Sequence, residues 1–91
     1  MTLLMKLIVA ERLFFLKKYE ESREKFKEIL KEKVSKRIYL NVLYRLAQID
    51  DKIGDVSSSK DKYKKILDEG NKLWIAEKSK EHLSQMLDVL E

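Results

Sequence analysis

The amino-acid sequence predicts an all-α protein, built from antiparallel helical hairpins stacked as an alpha-alpha superhelix. Three observations predict it. Two stretches repeat each other at a constant offset of 37 residues, pairing Ala10 with Ala47, Tyr19 with Val56, Phe26 with Tyr63, Ile29 with Ile66 and Leu30 with Leu67. A period between about 20 and 50 residues, with helical spacing inside it, marks stacked helical repeats. Apolar residues recur at the helical period, and no segment alternates with period two. Proline is absent, and the two glycines, Gly54 and Gly70, stand where helices are expected to stop.

About five helices follow from period and punctuation. Helix 1 is expected from about Leu3 to Leu16, with apolar residues around nearly its whole circumference. Helix 2 is expected from about Tyr19 to Lys33, with Tyr19, Ser22, Phe26, Ile29 and Leu30 on one face. Glu20 and Glu21 suit the positive end of its dipole, and Lys31 and Lys33 the negative end. Pairs such as Glu21–Lys25 and Glu28–Lys31 add a few tenths of a kcal/mol each. Ser35 is a natural N-cap for helix 3, expected from about Lys36 to Ile53. Gly54 can adopt the left-handed conformation that ends it. Asp55 can cap helix 4, from about Val56 to Glu69. Gly70 closes that helix, and Asn71 can cap helix 5, from about Lys72 to Leu90, with the stripe Leu73, Ala76, Leu83, Met86, Leu87 and Leu90. Short connections force neighbouring helices to lie antiparallel. The small residues Ala10, Ser22, Ala47 and Ser59 fall where the helices of each hairpin approach most closely.

Ninety-one residues make a single domain with a modest core. A content of 44% hydrophobic and 40% charged residues suits sharply two-faced helices and argues against intrinsic disorder. Without cysteine there is no disulfide framework and no thiolate metal site. That fits the cytoplasm, and a periplasmic protein can also lack cysteine. The apolar start is interrupted by Lys6 and followed by Glu11-Arg12, which suits an amphipathic helix better than a signal peptide. No apolar run approaches the ~20 residues that span a bilayer. The net charge of +4 is spread over 20 basic and 16 acidic residues, closely mixed, and says little about partners.

At its repeated positions the chain resembles the tetratricopeptide repeat family. The first repeat, about residues 3–34, supplies Ile8-Val9-Ala10-Glu11-Arg12-Leu13, then Tyr19, Ser22, Phe26 and Ile29. The second, about residues 36–70, supplies Leu43, Leu46, Ala47, the Gly54-Asp55 turn, Val56, Ser59, Tyr63 and Ile66. Residues 72–90 resemble the capping helix that often ends such arrays. The chain departs from the pattern in three places. Its offset is 37 residues where the family usually has about 34. Val34 and Asn71 stand where proline is common, and Asp50 occupies a position that is usually apolar and is expected to loosen the second hairpin.

The resemblance implies a concave groove lined by the first helix of each repeat. The matching positions are Leu4, Leu7, Glu11, Phe14 and Phe15, then Asn41, Tyr44, Gln48, Asp51 and Lys52. It implies a protein or peptide partner, with an apolar anchor against Phe14 and Phe15 and polar contacts at Asn41 and Gln48. Family members that clamp a terminal carboxylate do so with lysine and asparagine. Here those positions hold Leu7, Glu11 and Arg45, so that clamp is absent. Phe14 and Phe15 are also natural core residues, but adjacent helical positions diverge by about 100° and cannot both point inward. Helix 1 is apolar over more of its surface than one neighbour covers. A preceding helix, a second copy of the chain or a partner would cover it.

The remaining constellations read as structure. His82 has no triad neighbours and is expected on an exposed helix surface. Asp50-Asp51 lacks a second acidic pair for a metal site and is expected on a solvated face. Ser57-Ser58-Ser59 fits a helix start capped by Asp55. Trp74 is expected to seal the junction of helices 4 and 5. Lys60, Lys62, Lys64, Lys65 and Lys72 form a broken basic patch, interleaved with Asp61, Asp68 and Glu69, that leaves RNA binding a minor alternative. No nucleophile, base and orienting group converge, and no residue set asks for a cofactor. The function expected is therefore a non-catalytic adaptor or assembly scaffold. Homo-oligomerisation through helix 1 is the alternative.

Overall fold

The computed structural model describes residues 1–69 and 79–85, all helical or in short connections. Four helices run α1 (Leu3–Phe15), α2 (Tyr19–Leu30), α3 (Lys36–Lys52) and α4 (Val56–Glu69), and residues 79–85 form a fifth helical segment. Among the described residues there is no strand, and no helix is long and apolar enough to cross a membrane. The fold is all-α, with α1 packed on α2, α2 on α3 and α3 on α4. The expected helices 1 to 4 are all present. Gly70, Asn71, Trp74 and the remainder of the expected fifth helix lie outside the described residues.

The helix starts follow their capping residues. Ser35 accepts a hydrogen bond from the Ile38 amide at 3.2 Å, and Asp55 accepts one from the Ser58 amide at 3.2 Å. Thr2 does the same for α1 through the Met5 amide. Each cap satisfies an amide that has no partner within the helix. The end of α2 differs from expectation, since it stops at Leu30 rather than Lys33. The Lys31 and Glu32 amides reach back three residues, to Glu28 and Ile29, which tightens the last turn and closes the helix.

The two hairpin turns are the same motif. After α3, Gly54 has φ +88°; its amide bonds to the Asp51 carbonyl, and the Asp55 amide bonds to that of Asp50. After α1, Lys17 has φ +64°; its amide bonds to the Phe14 carbonyl, and the Lys18 amide bonds to that of Leu13. Both are Schellman closures, satisfying the last carbonyls of the helix. Lys17 lies 37 residues before Gly54, so the repeat extends to the turn itself.

Helix α3 is the centre of the molecule. One core cluster gathers Ala10, Phe26, Ile29, Val42, Leu46 and Ile49 from α1, α2 and α3. The other gathers Leu40, Leu43, Ala47, Tyr63 and Ile66, with Leu83 of the fifth segment against it. Small residues allow the close approach within the first hairpin: Ser22 is buried and donates from Oγ to the Ala10 carbonyl at 2.8 Å.

Asp50 corrects an expectation. It is fully buried rather than solvated. Its Oδ2 accepts hydrogen bonds from Lys62 Nζ and, at 2.7 Å, from Ser58 Oγ, while Arg23 Nε lies 3.6 Å from Oδ1. A carboxylate can be buried only with such compensation. The result ties α2, α3 and α4 together at one point.

Candidate functional site

The first helices of the two hairpins, α1 and α3, meet through side chains rather than backbone. At 34 residues' separation, the Arg45 guanidinium grips the Glu11 carboxylate with two hydrogen bonds, Nε to Oε1 at 3.0 Å and Nη2 to Oε2 at 2.9 Å. Nη1 donates to Gln48 Oε1 at 2.8 Å, one helical turn along α3. Planar fork-to-carboxylate pairing of this kind fixes orientation as well as distance. The same guanidinium lies over the Phe14 ring at 4.5 Å and the Phe15 ring at 5.3 Å, a favourable contact of a cation with aromatic faces. Phe14 and Phe15 are themselves edge-to-face at 5.3 Å.

The two phenylalanines divide as their angular separation requires. Phe14 packs into the first core cluster and against Tyr19, 5.7 Å between ring centres. Phe15 is 69% exposed. Leu7 is half-buried against the same cluster, and Leu4 is exposed. On α3, Asn41 is exposed and spends its amide on the Arg37 carbonyl of its own helix.

Tyr44 forms the other end of the site. Its hydroxyl shares a 3.0 Å hydrogen bond with His82 Nε2, and its ring meets Tyr63 edge-on at 5.9 Å. The His82 ring stacks on Tyr63 at 5.2 Å, nearly parallel. His82 is therefore half-buried and engaged, not a free surface histidine. Burial raises the Tyr44 phenol above its ordinary value, with Arg45 opposing. Burial also raises Tyr63, with the Asp51 charge adding to the effect. Both rings are neutral at physiological pH. Beside them Gln48, Asp51, Lys52, Tyr63 and His82 line a half-open cleft of about 240 Å3.

The structure thus brings together Glu11, Phe14 and Phe15 with Gln48 through Arg45, and Gln48 with Asp51 and Lys52 around the cleft. Leu4, Leu7 and Asn41 lie outside both groups, and Tyr44 joins the second through His82. Sequence reasoning used Arg45 only to exclude the carboxylate clamp, and it placed His82 on an exposed helix surface, where the structure has it half-buried. Arg45 stands 37 residues after Ile8, where a charged fork replaces an apolar side chain, and Gln48 follows it at one helical turn. That substitution was the available signal. His82 carried none, because its partners are distant in the chain.

The basic patch is partly consumed by the fold. Lys62 is committed to Asp50, and Lys65 lies 5.5 Å from the Tyr39 ring. Among the described residues no group of three or more His, Asp or Glu side chains is arranged to hold a metal ion. Comparison of the chain with protein-family models, with curated proteins and with solved structures found no match.

Proposed function

We propose that this chain is a non-catalytic protein-interaction module of the tetratricopeptide-like class, an adaptor or scaffold that holds a peptide or helix along the face of α1 and α3. One observation carries the reading. The first helices of both hairpins contribute to a single surface on which an exposed aromatic ring, Phe15, adjoins an organised polar array and an open cleft. Interfaces of peptide-binding modules combine an apolar anchor with fixed polar groups in this way. Arg45 is neutralised by Glu11, so the surface does not select for anionic tails. The cleft offers both signs, with Asp51 and Lys52 at its edge. A peptide with an apolar anchor followed by a mixed-charge or amide-bearing segment is the ligand this chemistry recognises.

Selection from a displayed random-peptide library tests the reading. Selected peptides are expected to share an apolar residue and to lose at least tenfold in affinity on Lys52→Glu and on Gln48→Ala. Glu24→Gln on the outer face of α2 is expected to leave affinity unchanged. Peptides indifferent to both cleft substitutions would refute it.

A further inference from the structure

Gln48 is the pivot between the Arg45 bridge and the cleft. A guanidinium donates from every nitrogen and accepts nothing. The 2.8 Å contact from Arg45 Nη1 therefore engages the Gln48 carbonyl oxygen, Oε1, and fixes which way the side-chain amide faces. Arg45 is itself held by both oxygens of the Glu11 carboxylate, so the orientation is set from the neighbouring hairpin. What Gln48 leaves for the cleft is its amide nitrogen, with two donor hydrogens and no partner among the described residues.

Lys52 adds further donors at the same cleft, and Asp51 adds an acceptor. The nearly parallel rings of Tyr63 and His82 give it a flat aromatic side. Its volume of about 240 Å3 falls below the ~300–1,000 Å3 of small-molecule sites, which suits one side chain better than a free metabolite. We infer that the cleft reads a side-chain carboxamide, a glutamine or asparagine of the bound peptide; this rests on the α1–α3 face being a peptide surface. The ligand's carbonyl oxygen accepts from Gln48 Nε2 and the Lys52 ammonium, and its NH2 group donates to the Asp51 carboxylate. A carboxamide accepts at one end and donates at the other while carrying no charge. A carboxylate would reach the same donors but sit against Asp51. An ammonium would reach Asp51 but sit against Lys52. An aliphatic side chain would desolvate all three groups and pair none of them. Arg45, held by Glu11, acts here as a positioning residue through Gln48.

Sequencing a displayed random-peptide library before and after capture on the full chain tests the inference, with peptides aligned on their apolar residue. Glutamine or asparagine is expected at one fixed spacing from that residue, enriched at least fivefold over glutamate, lysine and methionine at the same place. Gln48→Glu keeps the shape and the Arg45 contact but offers the cleft an acceptor in place of the donors. The preference is expected to move to lysine at that spacing, an inversion that a merely structural role would not produce. Arg45→Ala is expected to release the Gln48 side chain, lowering the heteronuclear NOE of its Nε2 group in the ligand-free chain. Methionine, glutamate or lysine enriched as strongly as the amides on the wild-type chain would overturn the inference and leave the peptide surface standing. Capture that enriches no peptide would overturn the surface and the inference together. A preference unmoved by Gln48→Glu, or a Gln48 amide equally ordered without Arg45, would overturn the inference alone.

Discussion

Hairpin α1–α2 closes its turn on Lys17 at φ +64°, and hairpin α3–α4 closes the equivalent turn on Gly54 at φ +88°. Both turns make the same two backbone hydrogen bonds, and both hairpins bury small residues at matching places, Ala10 and Ser22 against Ala47 and Ser59. Their side chains diverge from there. Helix α3 is enclosed between the two core clusters and buries seven residues, Asp50 among them. Helix α1 buries only Ala10 fully and exposes an apolar stripe. Turn chemistry and small residues set the backbone plan, whereas position in the stack sets what each helix must do with its second side. A helix with neighbours on both sides can accommodate a compensated carboxylate. A helix packed along one side only keeps apolar surface for something else to cover.

The comparison can be broken most forcefully at Asp50. The matching residue in the first hairpin is Leu13, which is half-buried, so the two positions contrast a buried charge with an apolar side chain. Asp50→Ala strands Lys62 and Arg23 at the edge of the core and is expected to cost about 3 kcal/mol in urea denaturation, the range for breaking one side of a buried pair. The double change Asp50→Leu with Lys62→Leu is expected to recover most of that loss. A cost below about 1 kcal/mol for Asp50→Ala would mean that the network does not hold α2, α3 and α4 together.

The bridge between hairpins comes next. Arg45→Ala removes a bidentate pair and two ring contacts, and about 1–2 kcal/mol is expected, tempered because Glu11 remains partly exposed. Arg45→Lys is expected to recover little of it, because an ammonium cannot reproduce the fork.

The turns give an effect of opposite sign in each hairpin. Lys17→Gly relieves a left-handed side-chain conformation and is expected to stabilise by about 1 kcal/mol. Gly54→Ala imposes that strain and is expected to destabilise by a similar amount, with no steric clash added, since a Cβ there meets nothing within 4 Å. Equal signs for the two changes would contradict the equivalence of the turns.

A smaller test uses alkaline pH. Tyr63 is harder to ionise folded than unfolded. Its contribution is therefore intact below the unfolded value of about 10 and declines as pH rises above it. Tyr63→Phe is expected to flatten the loss of stability above pH 10, measured by thermal unfolding across pH. The smallest effect belongs to Lys6–Glu32, a partly exposed surface pair, where Glu32→Gln is expected to change stability by less than about 0.5 kcal/mol.

Much of the fold was legible because its signals are local. The caps at Ser35 and Asp55, the glycine closure at 54 and the 37-residue offset are each readable within a few residues. The turn at Lys17 was harder, since its left-handed residue is not glycine and only the offset from Gly54 points to it. Asp50 was misread because beside Asp51 it looks like a polar surface. What buries it, Ser58 and Lys62 one helical turn apart on α4 together with Arg23 on α2, becomes visible only when helices are packed. The site was legible in outline through the first helices of each hairpin. Its organising residue, Arg45, was not, because its role depends on Glu11 meeting it across 34 residues. His82 failed for the same reason, being defined by Tyr44 and Tyr63 on other helices.

The central claim is that the α1–α3 face binds a peptide or helix. Backbone amide shifts of the labelled chain, titrated with a library-selected peptide, test it most directly. The account predicts that the largest shifts cluster at Glu11, Phe15, Tyr44, Gln48 and Lys52, with the outer faces of α2 and α4 silent. Shifts concentrated on α2 or α4, with the Arg45 surroundings unmoved, would contradict it.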